Sequence, residues 1–346
     1  MKLRKKLFLF LVLFIFSSTF AGEDRLNAIM HDVSQKLNRL ESVYHVQIGL
    51  TAIDTYNNTH INFNADKRFP MNSTFKLMAV SAVLKKSEQD ANLMQRRVFF
   101  TKEYVKKTLY TTKIFVGIRN VQKPSVSEGA DQPRLRYCSV SDHPASQQKF
   151  MSCTEVKKSG YAPITKQHIK TGMTVSDLCG AALIYSDSVA ANLLMQIVGG
   201  PNGVTQFARS IGDKQFLLVR WEPELNSAIP NDHRDTTTPS AMADSVQKLV
   251  LGNALGNVQR IQLQHWLKQS KTGDHRIRAG VSKKFIVADK TGGGGYGSIG
   301  DIGVVWRPHQ SPVVLAIYVK TNEKDAHTPD RVIAEATKIA MSGMIH

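Results

Sequence analysis

Met71-Asn72-Ser73-Thr74-Phe75-Lys76 leads into Leu77-Met78-Ala79-Val80, a stretch that reads as the start of a helix. Residues i and i+3 share a helix face, so Lys76 is placed beside the Ser73 hydroxyl. A serine at a helix N-terminus also meets free backbone N–H groups and the positive end of the helix dipole, which favour developing negative charge. That is a suitable setting for a nucleophile. By itself S-x-x-K is a weak signal, because it recurs by chance in many sequences. Its meaning depends on what accompanies it.

Three further segments accompany it in order. Tyr185-Ser186-Asp187-Ser188 precedes the helix-like run Val189-Ala190-Ala191-Asn192-Leu193-Leu194. Arg220-Trp221-Glu222-Pro223-Glu224-Leu225-Asn226 lies in a polar, proline-marked loop. Asp289-Lys290-Thr291-Gly292-Gly293-Gly294-Gly295-Tyr296-Gly297 ends one apolar run and precedes another. Together with Ser73 and Lys76 they resemble the S-x-x-K, S-D-N, E-x-x-x-N and K-T-G elements of class A serine β-lactamases. The resemblance runs from about residue 24 to the C-terminus, one block excepted.

The resemblance implies roles. Ser73 is the nucleophile, and its base is either Lys76 or Glu222 acting through a water. Backbone N–H groups of Ser73 and Gly293 form the oxyanion hole, where glycine permits close backbone approach to a ligand. Ser186 relays a proton to the lactam nitrogen. Glu222 activates the water that cleaves the acyl-enzyme, with Asn226 holding that water. Lys290, Thr291 and Arg276 bind the substrate carboxylate, Arg276 through a bidentate fork, and Gly292 belongs to the same substrate-binding segment. Tyr161 is an aromatic gate at the mouth of the cleft. Asp187 caps and holds its loop, Arg220 and Asp235 form an ion pair, and Glu222-Pro223 resembles a cis segment. Ser188 departs from the family pattern, which has asparagine there, so a weaker hold on acylamino side chains is expected. No metal or other cofactor is implied, and the eleven histidines show no zinc-ligand spacing.

Periodicity sets the architecture. Residues 24–43 carry Leu26, Ile29, Met30, Val33, Leu37 and Leu40 at helical spacing. Residues 46–54 alternate as a strand and pair with 59–63 across Asn57-Asn58. Helices are expected over 73–87, in two segments over 174–199, and over 238–254, 258–269 and 329–343. Strands are expected over 284–289, 302–306 and 313–320. These elements give an α/β lobe with an antiparallel sheet, built from about 22–70 and 275–346. A helical lobe spans about 71–274, and the site lies between them. That agrees with the β-lactamase/transpeptidase-like fold the resemblance implies.

From Lys76 to Ser186 is 110 residues, far more than the resembled family uses. Removing 108–158, which is 51 residues, joins Val105-Lys106-Lys107 to Ser159-Gly160-Tyr161-Ala162-Pro163 and reads as uninterrupted family sequence. The block is rich in Gln, Ser, Pro and Arg, has little periodicity and carries a net charge of +4. It reads as an irregular surface insertion.

Residues 1–21 read as a secretory leader: Lys2, Arg4, Lys5 and Lys6, then an apolar 7–16, then Thr19-Phe20-Ala21. Export, most simply to the periplasm, and a soluble monomer with no membrane role after cleavage are expected. The net charge of the 346-residue chain is +17. No aromatic-basic motif supports nucleic-acid binding, whereas a basic surface suits an anionic small molecule such as a β-lactam. Cys138, Cys153 and Cys179 are the three cysteines, an odd number that leaves at least one thiol unpaired. Two other functions fit parts of the pattern. A D-alanyl-D-alanine peptidase shares S-x-x-K and K-T-G but lacks the 220–226 loop. A homologue that is acylated yet turns over poorly would fit Ser188 and the insertion.

Overall fold

Val313-Val314-Leu315-Ala316-Ile317-Tyr318-Val319 is apolar throughout, which a strand tolerates only when both of its faces are covered. The computed structural model, which describes residues 27–118, 135–142, 149–158 and 160–344, covers both. Leu315, Ile317 and Val319 face one core with Val33, Leu37 and Leu40 of the first helix and Val332, Ile333 and Ala336 of the last. Val314, Ala316 and Tyr318 face the other core, with Phe69, Phe75, Met78 and the helices of the chain's middle.

In chain order the principal elements are α1 (27–44), β1 (Gln47–Asp54), β2 (Thr59–Phe63), α2 (Phe75–Ser87) and α3 (Lys102–Leu109). Then come β3 (Tyr110–Ile118), β4 (Leu135–Asp142) and β5 (Lys149–Lys158). The helices α4 (Val175–Ile184), α5 (Ser188–Ile197), α6 (Gly200–Ser210), α7 (Pro239–Val246) and α8 (Asn257–Lys268) follow. The chain closes with β6 (Ile286–Gly293), β7 (Ile299–Trp306), β8 (Val313–Lys320) and α9 (Arg331–Ser342). The main sheet has five strands in the order β6-β7-β8-β1-β2, with every neighbouring pair antiparallel. Strands from both ends of the chain therefore meet at β1 and β8, where Leu50 pairs with Ile317. The mixed α/β architecture and antiparallel sheet agree with the expectation from the sequence.

Several boundaries shift, each for a visible reason. β6 runs on to Gly293, so Lys290-Thr291-Gly292 is strand and not the loop after it. Pairing with β7, which begins at Ile299, supplies the hydrogen bonds that the glycines' weak strand propensity would not predict. The helix expected over 238–254 stops at Val246 and continues as a wide π turn over Gln247–Leu251. Helices α3 and α6 were not foreseen. α6 starts with Gly200-Pro201, and proline is well suited to a first helical turn.

The inserted block is not irregular where it is described. β3, β5 and β4 form an antiparallel sheet in that order. Residues such as Thr111, Thr112, Ile114, Phe115 and Val116 have strong strand preference, and this outweighs the polar composition of the block as a whole. Cys138 and Cys153 occupy opposed register positions on β4 and β5. The two ends of the insertion come together, because Tyr110 pairs with Lys158 and the Gly160 N–H donates to the Leu109 carbonyl at 3.0 Å. The leader, 1–21, lies outside the described residues. Among those described, no helix is long and apolar enough to cross a membrane.

Candidate active site

Ser73 sits in a short 3-10 turn, Asn72–Thr74, that runs straight into α2. Asn72 enters that turn with a φ of 45°, and its Nδ2 donates to the Ser298 hydroxyl at 3.0 Å, which ties the turn to the loop between β6 and β7. Lys76, one turn on, is wholly buried. Its Nζ lies 2.8 Å from Ser73 Oγ, 2.8 Å from the Ser186 carbonyl and 2.8 Å from Glu222 Oε1. A buried ammonium needs such partners, since desolvation without them would be prohibitive.

Glu222 reaches the site from the far wall through a cis Glu222-Pro223 peptide. Asn192 of α5 holds its backbone on both sides, accepting from the Glu222 N–H at 3.0 Å and donating to its carbonyl at 3.0 Å. Asn226 Nδ2 donates to Glu222 Oε2. Asn226 Oδ1 is then buried with no donor among the described residues, a position that an ordered water would satisfy. Asp235 clamps the loop, accepting from the N–H groups of Val219 and Arg220 and pairing with the Arg220 guanidinium.

The Ser186 turn joins the two lysines. Ser186 has a φ of 59°, and its Oγ accepts from Lys290 Nζ at 3.0 Å and lies 3.5 Å from Lys76 Nζ. Asp187 is a structural anchor. Its carboxylate receives the Ala190 N–H at the start of α5 and the N–H groups of Ile164 and Thr165 together with the Thr165 hydroxyl. Ser188 is also turned to this loop: its N–H donates to the Tyr161 carbonyl at 2.7 Å, and its Oγ accepts from the Tyr161 N–H. Tyr161 itself is exposed at the rim.

On the sheet side, Lys290 is fully buried. Burial, reinforced by the positive charge of Lys76, pushes its amine down to about 7, while Asp289 and Asp301 oppose the shift. Both of those aspartates are pushed upward, chiefly by their own burial. Thr291 shares a 2.6 Å hydroxyl–hydroxyl contact with Thr272. Arg276 does not present the open fork expected of it. Its Nε pairs with Asp330, and its Nη1 donates to the carbonyls of Gly292 and Gly300. Only Nη2 has no partner among the described residues.

Within the glycine run the protein crowds some positions and leaves one open. A Cβ on Gly293 would meet no protein atom within 4 Å, so the open side of that position faces the cleft. The crowding falls on its neighbours. A Cβ at Gly292 would lie 2.8 Å from the Met71 carbonyl oxygen, and one at Gly294 would lie 2.3 Å from Asn72 Oδ1. The missing side chains let the end of β6 lie close against the Ser73 turn.

A cleft of about 220 Å³ thus gathers Ser73, Tyr161, Ser186, Ser188, Asn226, Arg276, Thr291, Gly292 and Gly293, with Thr272 added. Lys76, Glu222 and Lys290 lie beneath its wall. Asn192 and Thr272 were not singled out from the sequence. Asn192 did leave a trace, as the lone amide in an otherwise apolar helical run.

The Beta-lactamase enzyme family matches residues 32–123 and 139–343. The chain belongs to that family. A β-lactamase of Proteus vulgaris is 39% identical over 307 residues, covering 89% of this chain and 94% of that protein. The β-lactamase CTX-M-97 of Escherichia coli is 39% identical over 321 residues, 92% of this chain and 91% of its own. A carbapenem-hydrolyzing β-lactamase, KPC, of Klebsiella oxytoca is 38% identical over 318 residues, 92% of this chain and 90% of its own. Together with the S-x-x-K, E-x-x-x-N and K-T-G segments, these relatives identify a class A serine enzyme.

Proposed function

We propose that this protein hydrolyses the amide bond of β-lactam antibiotics through an acyl-enzyme on Ser73. One observation carries the reading: Lys76 Nζ bridges Ser73 Oγ and Glu222 Oε1, with 2.8 Å on each side. The Lys76 amine is thus hydrogen-bonded to the nucleophile and ion-paired with the carboxylate, within reach of both for proton transfer. Ser73 Oγ attacks the lactam carbonyl as its proton passes to one of these two groups. The oxyanion forms against the backbone N–H groups of Ser73 and Gly293. The lactam nitrogen leaves with a proton supplied through Ser186, whose hydroxyl is held between the two lysines. Water placed between Glu222 and the unsatisfied Asn226 Oδ1 then loses its proton to Glu222, attacks the ester and frees Ser73. The substrate carboxylate is held by the charge of Lys290, the Thr291 hydroxyl and Arg276 Nη2.

The remaining readings are part of the same proposal. The enzyme is exported to the periplasm after loss of 1–21 and acts as a monomer without cofactor. The segment around 108–158 is an added surface unit on a single catalytic framework.

Nitrocefin turnover by the protein, run beside Glu222→Ala, is the test. Turnover by the parent and a stable Ser73 adduct in Glu222→Ala, seen by intact mass, are the expected results. An adduct that persists equally in the parent would instead mean a penicillin-binding protein that does not deacylate.

A further inference from the structure

Behind the Ser186 turn lies a second cavity, of about 460 Å³, between α4 and α8. Its apolar lining comes from Ile164, Met173, Ala181, Ile184 and the Trp266 ring, and Arg97, His168, Ser176 and Asp177 supply polar groups. Trp266 is only 6% exposed, and its indole N–H has no partner among the described residues. Indole nitrogen is a donor only, and this one is not among the described polar atoms sealed from solvent without a partner, so it stays reachable and free to donate.

Gly180 keeps that N–H open. A Cβ built on Gly180 would meet Trp266 Nε1 first, at 3.3 Å. Glycine inside a helix costs about 1 kcal/mol relative to alanine, and here it clears the space in front of the indole nitrogen. Two donor-bearing side chains therefore line one chamber. The other is Arg97, an exposed residue whose Nη1 is fixed by the carbonyls of Thr171 and Gly172 and whose Nε and Nη2, without a partner among the described residues, are open to water or a ligand. The acidic counterweight, Asp177, has its Oδ2 engaged by the Thr174 hydroxyl and N–H.

We propose that this chamber is a second binding site, for a small monoanionic arene whose ring packs on Trp266 and α4 and whose carboxylate meets the Trp266 N–H and Arg97. Its walls are also the supports of the catalytic turn. The Ala181 carbonyl accepts from the N–H groups of Tyr185 and Asp187, the two residues that flank Ser186. The Ile184 carbonyl accepts from the Lys271 N–H, next to Thr272 and its contact with Thr291. A ligand that shifts α4 or Tyr185 therefore shifts Ser186, so occupancy modulates turnover. The binding stands on its own. Only this effect on turnover rests on β-lactam hydrolysis.

The test is a titration of the ¹⁵N-labelled protein with 2-naphthoate, reading the Trp266 indole resonance, which Trp266→Phe identifies. Saturable movement of that resonance with a Kd on the order of 1 mM or tighter is expected. Ser176→Phe, which plugs the rim, should weaken binding at least about tenfold, and 2-naphthalenemethanol should bind more weakly than the acid. The shift should survive in Lys290→Met, where carboxylate binding in the catalytic cleft is impaired. An unmoved Trp266 resonance, loss of the shift in Lys290→Met, or equal binding of the alcohol would each overturn the assignment. Nitrocefin turnover should change about twofold or more at saturating naphthoate, chiefly in kcat. Binding without that change would remove the coupling and leave the site.

Discussion

Asp187→Ala tests whether the second catalytic segment is held by a structural carboxylate or uses a chemical one. Asp187 is fully buried and receives four donors: Ile164 N–H at 3.1 Å, Thr165 N–H at 3.0 Å, Thr165 Oγ1 at 2.9 Å and Ala190 N–H at 2.9 Å. A hydrogen bond to a charged group contributes about 1.5–3 kcal/mol, and the Ala190 bond is also the N-cap of α5. Partial relaxation keeps the four from adding, so a loss of about 4–6 kcal/mol is expected. That is a large share of the roughly 5–15 kcal/mol by which a domain is stable. At about 2 °C per kcal/mol for a chain of this size, the melting temperature should fall by roughly 10 °C. Differential scanning fluorimetry measures the shift, and nitrocefin kinetics at low temperature measure what activity survives. A fall of less than about 1 kcal/mol, or an intact melting temperature with activity abolished, would refute the anchoring argument.

The cleft supports further expectations. Gly293→Ala should keep turnover within a few-fold, because its Cβ meets open space, whereas Gly294→Ala should reduce kcat/KM at least about a hundredfold through collision with Asn72 and the Asn226 carbonyl. With the Lys290 amine held down to about 7 by burial and by Lys76, its charge is present below that pH and lost above it, so KM for an anionic cephalosporin should rise from pH 6 to pH 9 while kcat changes less. Lys290→Arg, which stays charged, should flatten that rise in a pH-resolved steady-state assay. Deletion of 110–158 should leave the melting temperature within a few degrees, since Leu109 and Gly160 are already hydrogen-bonded neighbours. Deletion of 108–158 should cost more, because it also removes Thr108, which is buried and bonded to the Tyr104 carbonyl.

Much of this was legible in the sequence because chemistry and periodicity agreed. The i, i+3 spacing of Ser73 and Lys76 alone places amine beside hydroxyl, and the two atoms lie 2.8 Å apart. The apolar run at 313–320 reads as a strand on the sequence alone, and its pairing with both β1 and β7 shows that strand to be central. What was not legible depended on distant partners. Arg276 looked like a free fork because nothing local reveals that the carbonyls of Gly292 and Gly300 and the Asp330 carboxylate would occupy it. The insertion looked irregular because composition averaged over a whole block hides three short strand-forming segments. Asn192 was passed over because its value lies in gripping Glu222, a residue thirty positions away.

The electrostatics of the cleft explain why its cations sit where they do. Lys76, Lys290 and Arg276 surround a small volume, and three positive charges there would repel strongly if nothing offset them. Each has an acidic partner outside the volume: Glu222 on Lys76, Asp330 on Arg276, and Asp289 and Asp301 behind Lys290. Of these, the Lys76–Glu222 pair is completely buried, which makes it worth little as a stabilising contact and informative as a functional one. A pair of well-packed apolar side chains would fold as well. Only an amine between a serine and a carboxylate can take a proton from one and give it to the other. The cost of burying that pair is thus expected to appear as excess stability when it is removed as a pair. Lys76→Met with Glu222→Leu should be inactive yet melt no lower than the parent, whereas either change alone strands a buried charge and should melt lower. A double variant that melts lower than both single ones would show that the pair is structural, and that its place between Ser73 and the deacylation loop serves folding before chemistry.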